Sequence, residues 1–240
     1  MKVGAVCLAA GQGKRMESKI QKQYLLLEDK PVLFYSLKAF QESKIDEVVL
    51  VVAKGEEEYC KKEIIEKYSF TKVKKIVVGG KERYHSVYQG LMQMEGADYV
   101  LIHDGARPFL TEEIIERCIT GAVNYHACVA AMPVKDTIKL ADDKGFIDST
   151  PERSKVWQIQ TPQSFYFPYI KSAYDKLMEA EEKEENSVPI TDDAMVIETF
   201  MDLKVRLVHG SYENIKITTP EDLVIAKAFL KKSKKIEKRC

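Results

Sequence analysis

The sequence contains no apolar run that approaches the ~20 residues a membrane-spanning helix requires, and it has no excess of charge of either sign. Its 37 lysines and arginines are balanced by 37 aspartates and glutamates, so the formal net charge is zero. A chain without a net positive field has no general attraction for nucleic acid or for an anionic membrane. We therefore expect neither as a partner, and any recognition of an anion must be local.

Cysteine is sparse, and its spacing does not indicate a zinc site or a disulfide framework. The five cysteines, at positions 7, 60, 118, 128 and 240, form no C-x-x-C pair and leave one over. This pattern predicts reduced thiols and a cytoplasmic protein. The basic stretch "KKSKKIEKRC" is interpreted as the solvated end of a helix rather than as a contact for an anionic surface.

Two common phosphate-binding loops are also missing. No segment matches G-x-x-x-x-G-K-[ST], and the dinucleotide fingerprint fails because Met16 stands where its third glycine is needed. The four histidines, at 85, 103, 126 and 209, show no arrangement typical of a catalytic triad. If the chain binds phosphate, it does so with a different loop.

What the chain does contain is a regular alternation of buried strands and helices. Apolar residues make up 45% of it, which is ample for a core. Strands are predicted at "VGAVCLAA", "EVVLVVA", "VKKIVVGG", "DYVLIH", "ACVAAMPV" and "KVRLVHG", with a short one in "NIKITT", and helical patterns lie between them. This order indicates an α/β fold, with a Rossmann-like, mostly parallel sheet and helices on both faces. The last helix is predicted to start with Thr219 as its cap and Pro220 in its first turn.

The alternation is interrupted between residues 135 and 163. This segment has short β-like pieces, a "DDKG" turn and no helical periodicity, so it is predicted to form a β-arm that projects from the domain. Phe146, Ile147 and Trp157 lie in it, and a lone hairpin cannot bury them. The arm therefore predicts a partner chain.

The loop after the first strand is the favoured place for a ligand, because open parallel sheets bind ligands beyond the carboxyl ends of their strands. It reads "LAAGQGKRMESKIQKQY". Gly11 and Gly13 allow backbone N–H groups to approach an anion, and Lys14, Arg15 and Lys22 supply charge, so the loop suggests a polyphosphate cradle. The alternative is a simple glycine turn with solvated lysines.

Seven segments together resemble one family. "AAGQGKRM" with the later "KQY" is similar to the nucleotide-binding signature of nucleotidyltransferases that activate sugar and polyol phosphates. "GGKERYHSV", "HDGARPF", "PVKDTI", "TPQSF", "TDDA" and "NIKITTPEDL" then follow in the order expected of the 2-C-methyl-D-erythritol 4-phosphate cytidylyltransferase family. The resemblance covers nearly the whole chain. It implies a single nucleotidyltransferase domain over residues 1–240, with a dimerisation arm at about 135–163.

The resemblance implies that a phosphate monoester of a polyol attacks the α-phosphorus of CTP and that pyrophosphate leaves. Such a monoester is largely dianionic at neutral pH, because its second pKa is ~6, so no general base is required. Arg15 and Lys22 are expected to neutralise the triphosphate, and Asp104 to hold Mg²⁺, which takes its other ligands from phosphate oxygens and water. An isolated Asp-Gly pair would otherwise indicate only a turn. The nucleotide is expected to be bound by Ala9, Ala10, Gly11, Gly13, Gly80, Ser86 and Ala106.

The acceptor phosphate, by the same resemblance, is bound by Asp104, Arg107, Thr137, Arg153, Thr161, Thr191 and Lys216, with Arg153 and Lys216 also catalytic. The arm, which carries Thr137 and Arg153, is expected to close the acceptor site of the neighbouring subunit in a homodimer. Arg83 is expected to brace its loop, and no role is assigned to Lys81.

Two other functions are compatible with parts of the pattern. A ribitol 5-phosphate cytidylyltransferase shares the first loop, the Asp-x-x-Arg-Pro pattern and "TPQSF", whereas "DGARP" and "RSKVWQIQTPQ" favour the methylerythritol enzymes. A nucleotide-binding module without catalysis could have lost the acceptor-site residues, and this chain retains them.

Overall fold

The computed structural model describes residues 1–11, 13, 16, 20–183 and 189–237, the last five of them by backbone alone. The strands are β1 (Val3–Ala9), β2 (Leu26–Leu27), β3 (Lys30–Pro31), β4 (Glu47–Val52), β5 (Val73–Val78), β6 (Tyr99–Asp104), β7 (Ala127–Pro133), β8 (Leu140–Ala141), β9 (Ile147–Ser149), β10 (Trp157–Tyr166) and β11 (Arg206–His209). The helices are α1 (Val32–Glu42), α2 (Glu57–Tyr59), which continues as the π-helical Cys60–Glu66, α3 (Arg83–Leu91), α4 (Glu112–Tyr125), α5 (Phe167–Glu182), α6 (Asp193–Phe200) and α7 (Pro220–Glu237). Short 3₁₀ turns occupy Lys22–Tyr24 and Arg153–Lys155.

Seven strands form one sheet in the order β11-β7-β10-β6-β1-β4-β5. The block β6-β1-β4-β5 is parallel, as is the pair β7-β11, and β10 joins the two blocks by pairing antiparallel to both β6 and β7. The predicted α/β fold with a mostly parallel sheet is confirmed.

Alternating strand residues separate the core into two layers. In β4, Val48, Leu50 and Val52 pack with α1 and α4, while Val49 and Val51 pack with α3, α5 and α6. This period of two places a hydrophobic layer on each face, so both faces are covered by helices.

The chain reverses direction across the sheet at β1. From β1 it runs outward through β4 to β5, and then returns so that β6 lies on the other side of β1. The carboxyl ends of β1 and β6 therefore flank the switch point at which open α/β sheets bind their ligands.

The projecting hairpin is shorter than the sequence pattern indicates. β8 and β9 pair antiparallel around a turn at residues 142–146. The residues from Trp157 onward instead lie in β10 and pair with β7 and β6, so the end of the segment 135–163 belongs to the central sheet.

One local prediction near the C-terminus is wrong. In the described chain the segment "NIKITT" forms no strand, because its Ile217 N–H donates to the carbonyl of Ala106 (2.8 Å) instead of to a neighbouring strand. α7 begins at Pro220, so Thr219 stands at the cap position as predicted. The Asp222 carboxylate also holds this start, since it accepts the N–H groups of Thr218 (2.8 Å) and Thr219 (2.9 Å). Among the described helices, none combines the length and apolar character that crossing a bilayer demands.

Candidate active site

The loop after β1 packs its backbone against a lysine. Gly13 has a positive φ of 64° and, with Gly11, lies under the side chain of Lys22, whose Cγ would be 3.4 Å from a Cβ at Gly13. Glycine is required at residue 13 because other residues rarely adopt this conformation. Gln23, the residue after Lys22, donates to the carbonyl of Ala9 and so fixes the 3₁₀ turn to the strand end. The predicted phosphate ligand Arg15, and its neighbours Lys14 and Lys19, lie outside the described residues.

A second loop, between β5 and α3, faces the first. A Cβ at Gly79 would be 2.6 Å from the Cβ of Ala10, so this glycine permits the two loops to approach. Ser86 then fixes the loop, since its hydroxyl accepts from the N–H of Gly80 (3.1 Å) and donates to the carbonyl of Glu82 (3.3 Å). The hydroxyl of Ser86 is therefore already used as a donor, and it retains the capacity to accept one more hydrogen bond.

Asp104, at the end of β6, lies among three cationic side chains. Its carboxylate is 2.7 Å from Nζ of Lys216, 3.6 Å from Nε of Arg83 and 3.8 Å from Nε of Arg107. Burial alone would raise the pKa of Asp104, but the charges of Lys216, Arg83 and Arg107 outweigh it and hold the pKa well below its usual range. Asp104 is thus ionised across the physiological pH range.

Arg83 is shared between two carboxylates. It forms a bidentate pair with Asp193, at 2.8 and 2.7 Å, and Asp193 also accepts from the hydroxyl of Tyr174 (2.6 Å). Burial opposes the charge of Arg83, yet Asp193 and Asp104 raise its pKa well above the ordinary value. The expectation that Arg83 braces its loop agrees with this pairing, although its side chain also lines the cavity of the site.

A buried polar layer supports Asp104 and Arg107 from β10. The hydroxyl of Thr161 accepts from the N–H of Asp104 (3.1 Å) and lies 3.0 Å from Nδ1 of His103. Asn214 donates to the carbonyl of Thr161 (2.9 Å), and the backbone carbonyl of Asn214 accepts from Arg107 (2.8 Å). Complete burial lowers the pKa of His103 to about 3, so this imidazole is neutral at physiological pH.

These elements enclose a cavity of about 540 Å³. It is lined by Leu8, Ala9, Ala10, Gly11, Gly13, Lys22, Gln23, Gly80, Lys81, Glu82, Arg83, Ser86, Asp104, Ala106 and Lys216. All the described residues expected to bind the nucleotide are among them, together with Lys22, Asp104 and Lys216. Apart from Ser86, which lies in the first turns of α3, each comes from the carboxyl end of a strand or the segment that follows it.

Five residues expected at the acceptor phosphate do not line this cavity. Thr161 and Arg107 contact Asp104 at the end of β6. Thr137 and Arg153 lie exposed on the arm segment, where Arg153 donates to the carbonyl of Lys135 (3.4 Å), and Thr191 is exposed before α6. Within one chain, therefore, Arg107, Thr161 and Lys216 contact Asp104. Thr137, Arg153 and Thr191 do not line the cavity.

Four residues around the site received no substrate or charge-pairing role from the sequence: Gln23, Lys81, Glu82 and Asp193. Asp193 lies within the quoted segment "TDDA", and Lys81 and Glu82 lie within "GGKERYHSV", so the motifs contained the signal. The pairing of Asp193 with Arg83 could not be read from either segment alone.

At this site a metal ion would have one carboxylate ligand from the protein, that of Asp104. The described residues contain no cluster of three histidine, cysteine or acidic side chains that could hold a metal ion. Asp104 has one carboxylate oxygen 2.7 Å from Lys216, whereas its other oxygen is 3.6 Å from Arg83. That second oxygen suits Mg²⁺, which binds through one or two carboxylates when a substrate supplies phosphate oxygens.

At its switch point the mostly parallel sheet carries a glycine loop, a lysine above this loop and a carboxylate among cations. This combination of fold and site is that of a nucleotidyltransferase. The model of the family IspD, 2-C-methyl-D-erythritol 4-phosphate cytidylyltransferase, matches residues 3–232. A protein of that name from Lachnospira eligens is 52% identical over 229 residues, which cover 95% of this chain and 98% of the relative. Another, from Lachnoclostridium phytofermentans, is 49% identical over 230 residues, covering 96% and 97%.

Solved structures agree. The crystal structure of the 4-diphosphocytidyl-2C-methyl-D-erythritol synthase from Anaerococcus prevotii is similar with a TM-score of 0.82 and 35% identity, over 96% of each chain. The 2-C-methyl-D-erythritol 4-phosphate cytidylyltransferase of Thermus thermophilus has a TM-score of 0.74 at 26% identity, over 94% of this chain and 98% of that one. The chain belongs to the 2-C-methyl-D-erythritol 4-phosphate cytidylyltransferase family and is a nucleotidyltransferase.

Proposed function

We propose that the chain transfers CMP from CTP to 2-C-methyl-D-erythritol 4-phosphate, giving 4-diphosphocytidyl-2-C-methyl-D-erythritol and pyrophosphate in the non-mevalonate route to isoprenoid precursors. Family membership supports this activity. The observation that carries it is the position of Asp104, Lys216 and Lys22 in one cavity with the glycine loop after β1. We assign the side of the cavity near the glycine loop to a triphosphate and the side near Lys216 to a second phosphate.

The reaction requires two anions to be brought together and needs no protein base. The acceptor phosphate is largely dianionic at neutral pH, since its second pKa is ~6. His103 cannot serve as a base for it, because its Nδ1 is 3.0 Å from the Thr161 hydroxyl and its Nε2 is 3.4 Å from the Arg107 carbonyl. Catalysis therefore depends on positioning and on neutralising charge.

Roles follow from where the cations lie. Lys22 lies over the glycines that would cradle the triphosphate, so we assign it, with Arg15, to the charge that develops on the leaving pyrophosphate. Lys216 and Arg107 flank Asp104 and are assigned to the acceptor phosphate. Ala9, Ala10, Gly80 and the hydroxyl of Ser86 would receive the nucleoside.

Mg²⁺ would be bound by Asp104 together with phosphate oxygens, and when bound it would neutralise charge on the triphosphate. The local side chains favour arrival of the ion as its nucleotide complex. Asp104 and Asp193 bring two negative charges against the three positive charges of Lys216, Arg83 and Arg107. This surplus disfavours a free dication and favours one that carries phosphates.

We also propose that the protein is a homodimer with exchanged arms. The hairpin exposes Phe146 by 71%, Ile147 by 65% and Leu140 by 52%, which is a large apolar surface for so small an element. Thr137 and Arg153 lie on this segment and outside the cavity of their own chain. Exchange across a two-fold axis would bring both to the acceptor phosphate of the other subunit. A cytoplasmic location is proposed with it, in keeping with four buried free thiols.

The test is the acceptor preference of the purified protein. Pyrophosphate release from CTP and Mg²⁺ should be fast with 2-C-methyl-D-erythritol 4-phosphate and slow with ribitol 5-phosphate, measured as kcat/KM for each. A higher kcat/KM with ribitol 5-phosphate would assign the other polyol. Nucleotide binding without release for either acceptor would indicate a module that only binds.

A further inference from the structure

The loop that borders the nucleotide cavity is fixed from outside by one carboxylate of α5. Glu181 accepts from the hydroxyl of Tyr84 through one oxygen (3.0 Å) and lies 2.8 Å from Nε2 of His85 through the other. The two rings are neighbours, with centroids 4.4 Å apart and planes inclined by 34°. Both oxygens of a single side chain thus hold two consecutive residues of α3.

His85 connects this carboxylate to the loop backbone. Its Nδ1 accepts from the N–H of Glu82 at 3.2 Å, so Nδ1 is unprotonated and Nε2 carries the hydrogen that is donated to Glu181. On the inner side, Ser86 holds the N–H of Gly80 and the carbonyl of Glu82. Gly80 has no room for a Cβ, because the Cβ of His85 occupies that place.

The loop 80–82 is therefore held between His85 and Ser86. Gly80 and Glu82 line the cavity, and so does Lys81 between them. In the described part of the chain the N–H of Lys81 donates to no protein acceptor, which leaves a backbone donor for a ligand. Its position is determined by the hydrogen bonds on either side of it.

We propose that Tyr84, His85 and Glu181 are positioning residues that set the affinity of the cavity for the nucleotide. They act through the loop 80–82 and do not touch the reacting atoms. The inference rests on the proposed function in that the ligand of this loop is CTP. It predicts a specific kinetic pattern, because Asp104, Arg107 and Lys216 lie on other elements. Arg83, which begins α3, is held by its own bidentate pair with Asp193 and not by Glu181.

Substitution of Glu181 should affect nucleotide binding alone. A hydrogen bond to a charged group contributes enough that losing two should raise the KM for CTP by about 5- to 10-fold in Glu181→Ala. The kcat and the KM for the acceptor should stay within about twofold, since the loss occurs equally in ground and transition states. Glu179→Ala is the matched control, because it removes an exposed carboxylate from the same helix and should leave all three constants unchanged.

Smaller changes separate positioning from stability. Tyr84→Phe removes one hydroxyl and should raise the KM for CTP by about 2- to 5-fold, the effect of one hydrogen bond. In the double variant His85→Ala/Glu181→Ala, the KM for CTP should rise by less than the product of the two single increases, because both substitutions break the same series of hydrogen bonds. Glu181→Gln, which keeps an acceptor and a polar group of the same size, should recover most of the affinity.

Direct titration with CTP in EDTA measures the change in nucleotide affinity in the absence of turnover. The dissociation constant should rise in Glu181→Ala and Tyr84→Phe by the same factors as the KM. Wild-type dissociation constants in both variants, or a fall in kcat with the KM unchanged, would overturn the proposal while leaving the proposed function intact. A wild-type protein that binds CTP neither in EDTA nor with Mg²⁺ would instead refute the proposed function.

Discussion

The substitution Asp104→Asn removes one charge from the centre of the site while keeping its shape. Asp104 is ionised and lies within 3.8 Å of Lys216, Arg83 and Arg107. With Asp193, the five charged groups sum to one positive charge, and the substitution raises the sum to two. The protein should therefore become less stable and more attractive to a free triphosphate.

The size of the destabilisation follows from burial. Breaking a buried charge pair costs about 3–5 kcal/mol. The side chain of Lys216 is 34% exposed and its ammonium can return to water, so about 2–3 kcal/mol is expected here. For a chain of 240 residues this loss corresponds to a fall in Tm of about 5–10 °C. Asp202→Asn, at an exposed position, is the control and should melt with the wild type.

The gain in nucleotide affinity separates electrostatics from simple damage. One additional unit charge at ~8 Å from a phosphate, at an effective dielectric of ~40, contributes about 1 kcal/mol, or roughly fivefold in affinity. CTP should thus bind about fivefold tighter to Asp104→Asn in EDTA, by calorimetric titration, while turnover with Mg²⁺ falls about 100-fold. An unchanged Tm together with weaker binding of CTP in EDTA would refute this description of the charge cluster.

Four further predictions concern other parts of the protein. Arg15→Ala and Lys22→Ala should each lower kcat by about 100-fold without lowering the Tm, and a raised KM at normal kcat would show that they only bind substrate. EDTA should abolish turnover and added Mg²⁺ restore it, whereas full activity without a divalent ion would contradict a role for the metal. A mixture of the Arg153→Ala and Asp104→Asn proteins should recover about a quarter of wild-type activity after subunit exchange, since about half of the dimers are then mixed and each mixed dimer has one intact site of two. Persistent inactivity despite exchange would show that the arm serves its own chain. The pKa of His103 is about 3 in the folded chain and 6.5 in the unfolded one, so its contribution to stability is complete above pH 6.5 and is lost as pH falls toward 3, by about 2 kcal/mol at pH 5. In the ligand-free His103→Gln variant the free energy of unfolding should therefore change less steeply between pH 6.5 and 5 than in the wild type. An identical slope would contradict this.

The parallel part of the fold could be predicted because its strands are continuous apolar runs. β1, β4 and β6 are buried on both faces, and their composition shows it. β10 was not predicted as a strand of the central sheet because several of its buried residues are polar, namely Gln160, Thr161, Gln163 and Ser164. Gln163, for example, donates to Asp192 (3.0 Å) and accepts from the N–H of Ala194 (2.8 Å), so the burial of this side chain depends on a helix that is distant in the sequence.

The site was predictable where one loop carries the chemistry. The glycines and Lys22 after β1, and Asp104 after β6, follow from the rule that ligands bind at the carboxyl ends of parallel strands. The pair between Arg83 and Asp193 was not predictable, since 110 residues separate its members and both α3 and α6 pack against α5 to bring them together. The start of α7 was predictable for a local reason, because the cap residue Thr219 and the first helical residue Pro220 are adjacent in the sequence.

The central claim is that this cavity joins CMP from CTP to a polyol phosphate. Its most direct test is ³¹P NMR of the purified protein with CTP, Mg²⁺ and 2-C-methyl-D-erythritol 4-phosphate. We expect the monoester signal to be replaced by the paired signals of a pyrophosphate diester, with an equal amount of free pyrophosphate, and we expect Lys22→Ala to slow this change. Loss of CTP to CMP or CDP with the monoester signal intact would contradict the claim.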